Sequence, residues 1–164
     1  MSKTAPAFLI DTNVWLDYEL GYSESYEQAR AFFRAARRGN ARMGIAAHSL
    51  KDVFYIARNR AKAANREDGM PAKASAASAS VVAWAIVDHI LESAEVVGLD
   101  FMDAHIAQKQ RALHDDYEDN LVVAAAMRMK ADILVTSDAV LLKHAPVATL
   151  SPDAAMKWLA AYED

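Results

Sequence analysis

Short apolar runs that alternate with stretches of helical periodicity constrain this chain most. Ala7-Phe8-Leu9-Ile10 and Ile133-Leu134-Val135 are brief, β-branched-rich or aromatic, and flanked by polar residues, as buried strands are. Between such runs the spacing turns to threes and fours, for example Leu50, Val53, Phe54 and Ala57. Strand–helix alternation predicts an α/β fold with a mainly parallel sheet. The pattern places strands near 7–10, 42–47, 95–99, 132–136 and 147–149. Helices are expected through 14–20 and at 24–38, from Ser49, 78–93, 101–113, 117–129 and 152–162, with a helical turn through Leu141 and Leu142. Gly21 and Gly39 read as helix stops, and Ser151-Pro152 as a helix start. Residues 67–80, with an Ala/Ser-rich run, read as a loop leading into a helix.

A length of 164 residues suits one domain, 1–164, that buries roughly 70% of its unfolded surface. No apolar run is expected to span a membrane, and Met-Ser-Lys-Thr-Ala-Pro lacks the apolar stretch of a secretory signal. The absence of cysteine excludes disulfides and thiolate metal sites. A cytoplasmic protein is the simplest expectation. The net charge of −4 argues against coating nucleic acid by charge alone. Its distribution is more telling, because residues 30–73 hold 11 of the 18 Lys and Arg but only 3 of the 22 acids. A basic segment therefore accompanies an acidic remainder.

Aspartates lie where the strands end. Asp11 follows the first run, Asp138 comes just after the fourth, and Asp52 and Asp119 fall in the first turns of helices. In open α/β sheets, ligands bind outside the carboxyl ends of the strands. Taken singly, each aspartate has an ordinary role as a helix cap, turn residue or dipole partner. Four of them at one edge of one sheet make an acidic pocket that needs a cation. Mg²⁺ or Mn²⁺ suits such oxygen ligands, and either can assist phosphoryl chemistry. The five histidines (His48, His89, His105, His114 and His144) show no metal-ligand spacing and read as structural, with His48 nearest the expected pocket. Trp15, Trp84 and Trp158 read as packing, although Trp15 and Tyr18 could stack on a base.

Ile10-Asp11-Thr12-Asn13, Ser49-Leu50-Lys51-Asp52, Asp116-Tyr117-Glu118-Asp119 leading into Ala124-Ala125-Ala126, and Val135-Thr136-Ser137-Asp138 together resemble the PIN domain. The set is similar in particular to bacterial members that act as toxins of toxin–antitoxin pairs. The resemblance implies a three-layer α/β/α sandwich and a Mg²⁺- or Mn²⁺-dependent endoribonuclease that uses water as nucleophile. It maps the family's acids onto Asp11, Asp52, Asp119 and Asp138, with Asp116 as a further acid. Asp52 stands where the family most often has Glu, one methylene longer. Asp11, Asp119, Asp138 and Asp116 would then hold metal, while Asp52 holds a second ion or orients the water. Asn13, Thr136 and Ser137 would position carboxylates or contact a phosphate.

The resemblance further implies an RNA substrate, a small antitoxin partner and a homodimer. The helix around 78–91 is a candidate for the dimer contact. Two basic faces, Arg34 with Arg38 and Arg58 with Lys62 and Arg66, are expected to flank the pocket and grip RNA phosphates. Other readings stay open at this point: a stand-alone processing nuclease, a non-catalytic interaction module, and a phosphatase with Asp11 as nucleophile. The last would want an acid where this chain has Asn13.

Overall fold

The computed structural model describes residues 4–163 apart from residue 22, so the opening Met1, Ser2 and Lys3 of the expected leader-free start lie outside the described residues. Five strands form one sheet: β1 (Ala7–Ile10), β2 (Arg42–Ala46), β3 (Glu95–Val97), β4 (Ile133–Val135) and β5 (Thr149–Leu150). Every pairing is parallel, and the spatial order is β3-β2-β1-β4-β5. Among the described residues, eight helices surround it: α1 (Thr12–Leu20), α2 (Tyr26–Arg38), α3 (Ser49–Glu67), α4 (Ala72–Ser93), α5 (Phe101–Gln110), α6 (Tyr117–Met129), α7 (Ala139–His144) and α8 (Pro152–Glu163).

Strand alternation divides the interior into two cores, the arrangement of a three-layer α/β/α sandwich. Phe8, Ile10, Ile45, Ile133 and Val135 point to one face, where α1, α2, α3, α4 and α8 cover them. Ala7, Leu9, Ala46 and Leu134 point to the other, against α6 and α7. The central strands β1 and β4 are therefore buried on both faces, which explains why they are apolar throughout rather than alternating. Gly44 lets α6 come close, since a Cβ there would lie 2.5 Å from the Met129 sulfur. Gly21 ends α1 in the left-handed conformation, at φ 72°, as the sequence predicts.

The largest departure from the sequence reading is α4. It begins at Ala72, six residues before the expected start, because an Ala/Ser run is helical once it has a surface to lie on. That surface is α3. The Ser75 hydroxyl donates to the Lys62 carbonyl, and Arg58 Nε donates to the Ser80 hydroxyl at 3.1 Å. The added length also overturns the expectation about apolar runs. Among the described residues, α4 is the one helix long and apolar enough to cross a bilayer, with a mean hydropathy of 1.5 over its apolar window. Ser75, Ala79, Ala83, Ile86, Val87 and Ile90 form its buried stripe.

Trp15, Phe32 and Phe33 anchor the α1–α2 side of the first core and are fully buried. Phe33 lies 4.6 Å from the Trp15 ring and 4.4 Å from the Tyr18 ring, centroid to centroid. Burial removes Trp15 from any base-stacking role and leaves it as packing. Phe33→Ala should cost about 3–5 kcal/mol by opening a cavity among these rings. Urea denaturation checks this, and a loss under about 1 kcal/mol would mean the cluster carries no such weight.

Candidate active site

The order β3-β2-β1-β4-β5 means that the chain leaves β1 toward one side and later returns to its other side as β4. This is the switch point at which doubly wound sheets leave a crevice. Asp11 and Asp138 follow the two strands that flank it. Asp11 is the N-cap of α1, and its backbone N–H extends the β1–β4 pairing by donating to the Val135 carbonyl at 2.9 Å. Its carboxylate accepts from Thr12 N (2.7 Å), Asn13 Nδ2 (2.9 Å) and Thr136 Oγ1 (2.6 Å). The fully buried Thr136 hydroxyl also accepts from the Asp138 N–H at 3.0 Å. Asn13 Oδ1 accepts from Ser137 N at 3.1 Å, closing the bridge between the two turns. Asp138 in turn caps α7 through Val140 N and Leu141 N.

Asp119 reaches the same place from α6. Asp116 is that helix's N-cap and accepts from Glu118 N and Asp119 N, which fixes the first turn. His114 is held by the same turn, with Nδ1 accepting from Asp116 N at 3.0 Å. Its Nε2 lies 3.1 Å from Asp119 Oδ2. One donor atom from each of His114, Asp119 and Asp138 can be chosen so that all lie within 4.8 Å of one another. Capping and clustering are thus one arrangement, because the caps aim the carboxylates.

The electrostatics are those of an acid cluster short of positive charge. Burial, reinforced by the Asp138 charge, raises the pKa of Asp11 against the pull of its hydrogen bonds from Thr136, Thr12 and Asn13. Burial and the charges of Asp11, Asp116 and Asp138 push Asp119 up to about 6, with His114 opposing. An oxygen-rich set of carboxylates with one imidazole fits a hard or borderline cation such as Mg²⁺ or Mn²⁺.

A cavity of about 290 Å³ opens here, lined by Asp11, Asn13, Asp17, Glu118, Asp119 and Asp138, with Arg60 at its rim and Leu16, Ile56 and Val122 as apolar wall. Four expected residues do not line it, the first being Thr136, which is fully buried behind the Asp11 carboxylate. Asp116 is used up as a cap, since its side chain faces the α6 backbone. Ser137 enters through its backbone N–H alone. Asp52 stands behind Glu118, with its Oδ1 3.0 Å from Lys51 Nζ. Burial opposes the Asp52 charge, but hydrogen bonding to Glu118 and Lys51 lowers its pKa. Glu118 is the residue that faces the cavity. The Asp52 carboxylate accepts its proton, and this contact, with burial, pushes Glu118 up to about 7.

Neither expected basic face lines the acidic cavity itself. Arg58 is spent on Ser80 of α4, and Lys62 and Arg66 continue that side of α3, round the helix from the Ile56 and Arg60 face that meets the cavity. Arg34 and Arg38 line a separate cavity beside α2. His48 precedes α3 next to Asp52, where burial lowers its pKa, and does not line the acidic cavity. Sequence reasoning missed Asp17, Arg60, Glu118 and His114. Asp17 follows Asn13 by one helical turn, and Arg60 follows Asp52 by two, so helical spacing could have found both. Nothing in the spacing of His114 points to its role.

This geometry defines a doubly wound α/β domain with an acidic crevice at its switch point. A PIN domain family model matches residues 7–139, and the chain belongs to the PIN domain family, whose members are generally nucleases. No curated protein matches the sequence. Eight chains of solved structures match it. One is VapBC2 from Rickettsia felis bound to a DNA fragment from its promoter, with a TM-score of 0.60 at 14% identity over 88% of this chain and 98% of that chain. At that identity, the likeness speaks to the fold.

The raised acid gives a signed test. Folding lifts Asp119 from 3.8 to about 6, so its contribution to stability is full below the lower value and is lost as pH rises through the upper one. Without metal, Asp119→Asn should therefore melt several degrees above wild type near pH 8, with the gap closing toward pH 4. Thermal melts in EDTA check this. A variant less stable than wild type at pH 8 would show that the charge is compensated.

Proposed function

We propose that this protein is a metal-dependent endoribonuclease that hydrolyses RNA phosphodiester bonds. The observation that carries the reading is the convergence of Asp11, Asp119 and Asp138, from three separate elements, on one cavity in which burial and mutual repulsion disfavour the Asp11 and Asp119 charges. Those three would hold Mg²⁺ or Mn²⁺, with His114 beside them. When bound, such an ion neutralises the cluster, lowers the pKa of a water and stabilises charge developing on the phosphoryl group.

The remaining work falls to the chain. Thr136 and Asn13 keep the Asp11 carboxylate fixed, with its hydrogen bonds on the protein side. Glu118 holds a proton toward Asp52 up to about pH 7, and in its ionised form it can take one from an attacking water beside the cavity. In this role Glu118 supplies the reach that Asp52 lacks. Arg60 is positioned to meet a phosphate at the rim. No Ser–His or Cys–His pair is needed.

The biological setting proposed is that of a toxin restrained by a small antitoxin in the cytoplasm. The resemblance of the motifs and the VapBC2 neighbour support it. An antitoxin would silence the cavity by inserting a cationic side chain among its acids. A homodimer is proposed through α4, which exposes Val81, Trp84 and Leu91.

Cleavage of a structured RNA by wild type, Asp11→Asn and Asp119→Asn, with Mn²⁺ or EDTA, tests the activity. Wild type should cut only with metal, and each variant should lose at least about a hundredfold in rate while remaining folded. Equal cutting by the variants would place the activity elsewhere.

A further inference from the structure

A second cavity, of about 450 Å³, is lined by Arg30, Arg34, Arg37 and Arg38 of α2, Tyr18 and Glu19 of α1, Tyr26, and His89 of α4. The four arginines are spaced i, i+4, i+7 and i+8, so they stand in one stripe opposite the buried Ala29, Phe32, Phe33 and Ala36. Such concentrated charge is ordinarily offset by nearby acids. Here Glu27 pairs loosely with Arg30 at 3.5 Å, and Glu19 is engaged by His89 at 2.6 Å. Arg37 donates to the Tyr18 hydroxyl at 2.8 Å and lies over the Tyr18 ring. Arg34 and Arg38 have no hydrogen-bond or ion-pair partner among the described residues, so two guanidinium forks remain free in a cavity with aromatic walls.

Helix α1 separates this cavity from the acidic one. Asp17 lines the acidic cavity, while the next two residues, Tyr18 and Glu19, line the basic one. Tyr18 and Glu19 therefore carry the basic cavity directly onto the helix that Asp11 caps. An acidic cavity repels RNA before its cation is bound, so affinity must come from a positive surface within reach of the same strand. On the expected α3 face Arg58 already holds Ser80, and neither it nor Lys62 nor Arg66 lines a cavity with aromatic walls as Arg34 and Arg38 do.

We propose that the arginine cavity is the RNA-holding subsite, which takes the backbone phosphates of a single strand crossing α1 while the scissile phosphate lies in the acidic cavity. Arg34 and Arg38 grip the phosphates in bidentate fashion, and Tyr26 offers a ring for a splayed base. This proposal rests on the ribonuclease reading, yet its chemistry is measurable without cleavage.

The test is fluorescence anisotropy of wild type with a short, end-labelled single-stranded RNA in EDTA, across a salt series. Arg34→Glu with Arg38→Glu should weaken binding by about tenfold or more and lower the salt slope by about 1.4, two phosphate contacts at 0.7 each. Arg34→Gln with Arg38→Gln should show the same direction to a smaller degree, and circular dichroism verifies that both variants are folded. An unchanged affinity and slope would overturn the proposal. So would a loss confined to Lys62→Glu with Arg66→Glu, which would return the contact to α3. A third overturning result is an oligoglutamate peptide that binds wild type more tightly than RNA and loses affinity in the arginine variants, assigning the cavity to an acidic protein segment. Because EDTA is present, a protein that binds RNA through these arginines but never cuts it with Mn²⁺ contradicts the nuclease reading alone.

Discussion

The hydrogen bond from the buried Thr136 hydroxyl to Asp11 holds the functional half of this molecule together. It joins the turn after β1 to the turn after β4, across the point where the sheet changes direction. The same hydroxyl takes the Asp138 N–H, so a single side chain sets the relative position of two carboxylates more than a hundred residues apart in sequence. Helix capping does the remaining alignment. Asp11, Asp116 and Asp138 each begin a helix, and each helix start fixes which way an acid points. The site is assembled from ordinary local structure brought to one sheet edge.

That assembly stores electrostatic cost. The cavity gathers carboxylates whose burial and mutual repulsion raise Asp11, Asp119 and Glu118 from their usual range. A fold selected for stability alone would disperse them. Sites of this kind commonly give up stability for activity, and a divalent cation is the natural compensation. The basic surface is handled in the opposite way. Arg34 and Arg38 are kept off the acidic cavity by α1, so neither set of charges neutralises the other.

The fold was legible because its signals are local. Strands buried on both faces are uninterrupted apolar runs, and Gly21 marks a helix end by its own chemistry. The Ala/Ser run of α4 was misread as partly loop because its helicity depends on α3, a tertiary contact that composition does not reveal. For the site, Asp11, Asp119 and Asp138 could be found because each follows a strand or opens a helix. Glu118 was hidden behind Asp52. Sequence places both acids at helix starts, and only packing shows that one pairs with Lys51 while its neighbour faces the cavity. Arg58 was likewise indistinguishable from a free surface cation until its bond to Ser80 was visible. His114 came to the site through a loop held by Asp116, a geometry with no sequence period.

The central claim is that the carboxylates at the β1–β4 switch point form a divalent-cation site. Its most direct test is anomalous scattering from crystals grown with Mn²⁺. The account predicts a peak within coordination distance of Asp11 or Asp119 and Asp138, on the cavity side of the Thr136 hydrogen bond. A well-ordered cavity with no peak, or with Mn²⁺ bound only elsewhere, would contradict it.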